Sequence, residues 1–120
     1  MARVLNATRQ TVLASQAVLA TGFWLRLRGL MFRRRFGPFD GLWLAPTNAI
    51  HMFWVFFPID LVWLDHERRV LRCTRGLKPW RVEVVAGARS VLELPVGAVT
   101  RSGTVPGDQV VFEDSERSVR

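Results

Sequence analysis

The stretch from Gly41 to Leu64 limits what this chain can become more than any other part of it. Asp60 is its one carboxylate and His51 its one other titratable group; the rest is aromatic, aliphatic or small, apart from Pro46, Thr47, Asn48 and Pro58. A membrane-crossing helix needs about 20 nearly unbroken apolar residues, and two prolines with an acid deny it that continuity. Short strands remain: Gly41 to Leu44, Ile50 to Phe57 and Ile59 to Leu64, separated by Pro46-Thr47-Asn48 and by Pro58. In Ile50 to Phe57 both alternation phases are mostly apolar. Such a strand is either covered on both faces or turns its outer face to a partner.

Strand patterns continue on either side. Arg3 to Leu5 and Thr11 to Leu19 are β-prone runs around the turn sequence Asn6-Ala7-Thr8-Arg9, although the alanines of the second run also accept helix. Phe23, Trp24, Leu27, Leu30 and Met31 are spaced by three and four residues and predict one short helix, with Thr21 as its N-cap. Arg33-Arg34-Arg35 suits the negative end of that helix, and Gly37-Pro38 stops it. Asp65-His66-Glu67-Arg68 is a polar turn before a return strand, Arg69 to Arg75, in which Arg72 is expected to face solvent. Val82 to Val85, Ser90 to Leu94 and Gln109 to Phe112 complete the strands, with one helical turn expected between Pro95 and Arg101. The chain thus predicts a single, mainly β domain over residues 1–112 and a charged, frayed tail over residues 113–120.

At 120 residues and 13.7 kDa the chain buries enough surface to fold without staples. Cys73 stands alone, so no internal disulfide is available, and no Cys/His spacing matches a zinc site. No metal or cofactor is expected. The net charge of +7 comes almost wholly from arginine, with Lys78 the one lysine. That bias follows from a GC-rich coding sequence as readily as from function; it speaks to association rather than to activity. Polar residues from Asn6 to Gln16 interrupt any leader-like apolar run. A cytoplasmic protein without a transmembrane segment is expected.

Three blocks run in order along the chain: Arg28-Gly29-Leu30-Met31-Phe32-Arg33; Ile50-His51-Met52-Phe53 with Phe57-Pro58-Ile59-Asp60 and Asp65; and Val91-Leu92-Glu93-Leu94-Pro95-Val96-Gly97 leading to Gly107-Asp108. Together they resemble the bacterial and archaeal family known as domain of unknown function 192. The resemblance implies a compact, β-rich α+β fold, mainly antiparallel, with barrel-like closure and one or two short helices. It implies no established activity. The chain departs from that family at Val55 and Phe56, where many relatives carry a methionine and then a polar or basic residue. It is also expected to lack the leader of those relatives that are exported.

Arg28, His51, Asp60 and Glu93 are the charged or titratable groups set among apolar neighbours inside these blocks, and they are the candidate ligand-binding residues. A His beside a carboxylate serves as a base or a metal ligand; the structural alternative is a His that fixes a strand through its hydrogen bonds. For the charges the structural expectation is an ion pair of Arg28 with Asp60 or Glu93, since a charge desolvated alone costs several kcal/mol. Arg26, Arg33, Arg34 and Arg35 form with Arg28 a basic patch able to meet phosphates. No nucleic-acid motif frames that patch, so a solvated helix end is the plainer reading and nucleic acid is not the expected partner. Cys73 reads as a small apolar filler. Core packing is the default for most of the aromatic run Trp43, Phe53, Trp54, Phe56, Phe57 and Trp63, but its two-faced apolarity leaves a surplus, and Trp54 and Phe56 are the candidate interface residues.

The sequence therefore favours a non-enzymatic binding or accessory domain, holding a partner protein or a small ligand in an aromatic-lined groove beside the polar cluster. Two alternatives stand beside it. One is a small hydrolase-like or metal-assisted enzyme using His51 with Asp60 or Glu93; the other is a nucleic-acid or anionic-surface binder working through the arginines.

Overall fold

The computed structural model describes residues 1–22, 30 and 35–114. β1 (Ala2–Asn6) and β2 (Thr11–Ala20) form the expected antiparallel hairpin. β3 (Gly41–Leu44), β4 (Ala49–His51), β5 (Ile59–Leu64), β6 (Val70–Leu77), β7 (Val82–Val84) and β8 (Ser90–Pro95) follow. A five-residue helix, α1 (Ala98–Ser102), then leads to β9 (Val110–Asp114). The last strand runs two residues beyond the boundary expected for the tail, because Arg3 of β1 pairs with Glu113 at 2.9 Å and Ala2 sits opposite Asp114. Apart from buried Leu30, the expected helix at Phe23–Met31 lies outside the described residues, as does the rest of the tail.

Seven strands form one sheet in the order β6-β5-β8-β3-β2-β1-β9, and β4 and β7 form a separate two-stranded ribbon. The sheet is mixed rather than wholly antiparallel. β2 and β3 run side by side in the same direction, since the chain passes from the end of β2 back to the start of β3 through residues 21–40. Strong curling brings the two ends of the sheet together at one rim. There Arg69 bridges Gln109, and the Val70 N–H donates to the Asp108 carbonyl at 2.9 Å. The result is a half-barrel.

Alternation along the central strands gives the sheet an apolar layer on each face. Inside the curl, Val4, Leu13, Ala17, Val62, Leu64, Val70, Leu92, Leu94 and Val110 meet Ala98 and Val99 of α1. Outside it, Leu42, Leu44, Ile59, Leu61, Trp63 and Val91 are covered by Phe36, Phe39 and the ribbon residues Ile50, Met52 and Val55. β5 is accordingly buried at every position and β8 at all but its last. These are the strands covered on both faces, the condition that β-rich runs with two apolar phases announce.

The expected strand from Ile50 to Phe57 is not one strand. Regular pairing stops at His51 because the Met52 N–H donates to the Arg81 carbonyl, and the Met52 carbonyl accepts from both Val55 and Trp80. Trp54 then adopts a positive φ of 63°, which no extended chain has. The two apolar phases are sorted by a turn instead of a pleat: Met52 and Val55 go inward, while Phe53, Trp54 and Phe56 stay out.

A polar network ties the hairpin turn to the loop before β9. The Asn6 side-chain amide donates to Thr104 Oγ1 and Asp108 Oδ2, each at 2.9 Å, and Arg9 Nε donates to the same Asp108 oxygen at 2.8 Å. Burial pushes the Asp108 carboxyl up, but hydrogen bonds from Asn6, Val105 and Arg9, with the Arg9 charge, outweigh it and hold the group below its ordinary range.

Gly41 is the tightest point of the parallel pair. A methyl group there would stand 2.9 Å from Ala14 Cβ and 3.4 Å from Ala17 Cβ. Gly41→Ala is expected to destabilise the fold by about 1–3 kcal/mol through overpacking, measured as a lowered urea midpoint with an unchanged slope.

Candidate functional site

Asp60 lies on β5 with its side chain inside the curl, opposite Leu94 and 1% exposed. Its Oδ1 accepts the Gly76 N–H at 2.9 Å, and its Oδ2 accepts the N–H groups of Gly97 at 3.1 Å and Val99 at 3.0 Å. Gly76 sits where β6 slips register against β5. Gly97 is the N-cap of α1, which has no side-chain cap of its own. The carboxylate thus supplies, from a neighbouring strand, the acceptor that the free N–H groups at a helix start require. This is a structural assignment for Asp60, made with backbone donors.

Glu93 points the other way. It stands opposite Leu61 and Leu42, on the outer face of the sheet, among apolar side chains. Among the described residues it has no ion-pair partner, and its Oε2 has no hydrogen-bond partner. Burial alone pushes its carboxyl up from 4.5 to about 8, so at neutral pH it is mostly a neutral acid. The ion pair considered for this charge involves Arg28, which lies outside the described residues.

His51 occupies a third surface. Along β4 and β7 the inward positions are Ile50 and Glu83, and the outward ones are Ala49, His51, Val82 and Val84. The His51 ring lies 5.4 Å from that of Phe53, and its Nδ1 is enclosed without a hydrogen-bond partner. The three described members of the candidate cluster are therefore not brought together: Asp60 is inside the curl, Glu93 on its outer face and His51 on the far side of the ribbon. Arg28 lies outside the described residues, as do Arg26, Arg33 and Arg34. Arg35 is exposed. Among the described residues, no three His, Cys, Asp or Glu side chains gather as metal ligands would.

Glu83, unremarked in the sequence, proves to be the polar group that seats the ribbon. Its Oε1 accepts from Trp63 Nε1 and from the Thr74 hydroxyl, each at 2.5 Å, and Arg72 lies 3.7 Å from Oε2. The Val82-Glu83-Val84 alternation points the other way, with the valines inward, and the structure reverses it. Arg72 is exposed, as its place in the return strand predicted. Cys73 is half-buried and its Sγ lies 3.6 Å from the Thr104 carbonyl. Burial, working against the nearby Arg75 charge and reinforced by Asp108 and Asp60, pushes the thiol up to about 11. It stays protonated and inert at neutral pH.

What the structure does assemble is an aromatic surface. Phe53, Trp54, Phe56 and Trp80 are 43%, 48%, 48% and 52% exposed. Trp80 stands 5.1 Å from Trp54, edge to face, and 6.0 Å from Phe53. Both tryptophans hold a positive φ, 63° and 69°, a conformation that costs a bulky residue about 1–3 kcal/mol. Trp54 and Phe56 were expected here; Trp80, separate in sequence from the aromatic run, was not. Buried Met52 joins the two turns, through its N–H to Arg81 and its carbonyl to Trp80.

A curled mixed sheet plugged by one helical turn, with a short ribbon across its outer face, defines a small half-barrel class of β domain. A crystal structure of a protein of unknown function from Novosphingobium aromaticivorans has the same fold, with a TM-score of 0.77 at 26% identity over 92% of this chain and 82% of that one. The DUF192 family, described as Uncharacterized ACR, matches residues 4–112, and the chain belongs to it. It is 31% identical over 122 residues to a UPF0127 protein of Thermococcus sibiricus, covering 96% of this chain and 78% of that protein. To a UPF0127 protein of Thermococcus gammatolerans it is 33% identical over 124 residues, covering 97% and 80%.

Two substitutions separate the carboxylates. Asp60→Ala strands the buried Val99 N–H and two part-buried ones, at Gly76 and Gly97, and is expected to cost about 2–3 kcal/mol in urea unfolding, with amide exchange at Val99 accelerated. For Glu93, the folded protein keeps a proton that the unfolded chain releases above pH 4.5. Its stability is therefore full below that pH, falls as pH rises towards about 8, and levels beyond. Glu93→Gln is expected to flatten this decline and raise the melting temperature at alkaline pH, leaving it nearly unchanged at acidic pH.

Proposed function

We propose that this DUF192 protein is a non-catalytic binding or accessory domain that docks through the aromatic outer surface of the β4–β7 ribbon. The observation that carries the reading is the gathering of Phe53, Trp54, Phe56 and Trp80, each about half exposed, on two turns laced through Met52. Large apolar groups left together at a surface mark an interaction site, and Trp in particular anchors interfaces. Backbone strain at both tryptophans supports a surface maintained for use. Of the described polar candidates His51 borders it, through Phe53.

The metal-assisted enzyme has less support. His51, Asp60 and Glu93 lie on three different surfaces, so no base faces a carboxylate across a space where substrate could sit. The nucleic-acid reading rests, among the described residues, on exposed Arg35 alone. Unpaired Cys73 supports a reducing compartment and hence the cytoplasm. Among the described residues no helix is long and apolar enough to cross a membrane.

A photo-reactive benzoylphenylalanine at position 56 tests docking in cells. Mass analysis of the recovered protein is expected to show defined adducts at 56 and none at position 111, an exposed valine on β9. Equal yields at the two positions would remove the reading.

A further inference from the structure

We infer that the ribbon surface docks on an anionic lipid surface, a proposal that rests on the docking reading above and gives it an occupant. Charge is the first argument. Exposed Lys78 and Arg81 flank Trp80, and no ion pair engages either among the described residues. Between Gly41 and Ile59 there is no charged residue beyond titratable His51, and the one acid between Arg75 and Arg89 is Glu83. Glu83 is turned inward onto Trp63 and Thr74. The surface therefore presents aromatics and cations without an exposed acid, the composition that anionic headgroups attract.

Area is the second. About half of four aromatic side chains amounts to roughly 300–500 Å², well under the ~800 Å² per partner of a stable protein interface. Shallow insertion into a headgroup layer needs no such matched area, and binding there scales with apolar surface plus attraction to anionic lipid. Residue type is the third. Trp favours the boundary between water and hydrocarbon, where its ring is buried and its N–H stays wet. Trp54 and Trp80 stand edge to face on adjacent turns, with Phe53 and Phe56 beside them and Val82 and Val84 exposed along the ribbon.

Sedimentation with vesicles tests it, using phosphatidylcholine alone and phosphatidylcholine mixed with phosphatidylglycerol. The full chain is expected to partition onto the mixed vesicles and not onto the neutral ones, and to be released by salt. Trp54→Asn with Trp80→Asn removes both rings while placing at each position a residue that accepts positive φ; the loss expected is about tenfold or more, as apolar area is withdrawn. Lys78→Ala with Arg81→Ala leaves the apolar packing intact and is expected to cost about 25-fold, near fivefold for each cation. Unchanged thermal unfolding certifies both variants as folded. Binding indifferent to both variants would overturn the inference. Absence of vesicle binding together with a protein adduct at position 56 overturns it too, while leaving the docking reading intact. Absence of both vesicle binding and any adduct overturns the two together.

Discussion

The carboxylate of Asp60 is the interaction on which this fold most depends. A half-barrel whose strands differ in length must absorb a register slip somewhere, and a five-residue helix cannot hold its own start. One side chain meets both needs. It accepts the N–H that the β6 slip leaves over at Gly76 and the two that α1 presents at Gly97 and Val99. Because Asp60 enters the curl between Leu94 and Val99, its burial is compensated, among the described residues, by three backbone donors. The inner apolar layer can then close over α1 without an orphaned polar group at that point.

The outer layer follows a different rule. Glu93 sits there without an ion-pair partner among the described residues, and burial raises its carboxyl to about 8, which favours the protonated form at neutral pH. Two carboxylates on adjacent central strands thus adopt opposite solutions to burial, one fully hydrogen-bonded and one neutralised. Their separation by the thickness of a sheet follows directly from antiparallel register: Leu61, not Asp60, faces Glu93. A polar site drawing on both would have to pass through the sheet.

Much of the fold was legible in the sequence because strand alternation and turn residues carry the information locally. β1, β2, β3, β5, β6, β8 and the turn at Asp65 stand where the pattern placed them. The turn was legible because an Asp two and four residues ahead of free N–H groups is a local device, and Asp65 Oδ1 accepts from both Glu67 and Arg69. Residues 52–57 were not legible, since an apolar run lacking Gly and Pro reads as strand; the turn there depends on long-range bonds from Met52 to Trp80 and Arg81. The aromatic surface was half visible for the same reason: Trp54 and Phe56 announce themselves as surplus, but Trp80 reaches them only through the fold. The polar cluster failed because proximity in family-like blocks says nothing about which face of a strand a residue takes. One step of alternation sends Asp60 inward and its neighbour outward.

The ribbon is an appendage rather than a member of the sheet. β4 and β7 pair only with each other among the described strands, and they are fastened by Ile50, Met52, Val55 and Glu83 from one side. Its outward positions can therefore be rewritten by evolution without re-registering seven strands. A scaffold arranged in this way lets kindred proteins keep a common architecture and diverge in what they adhere to, so shared ancestry need not carry a shared ligand.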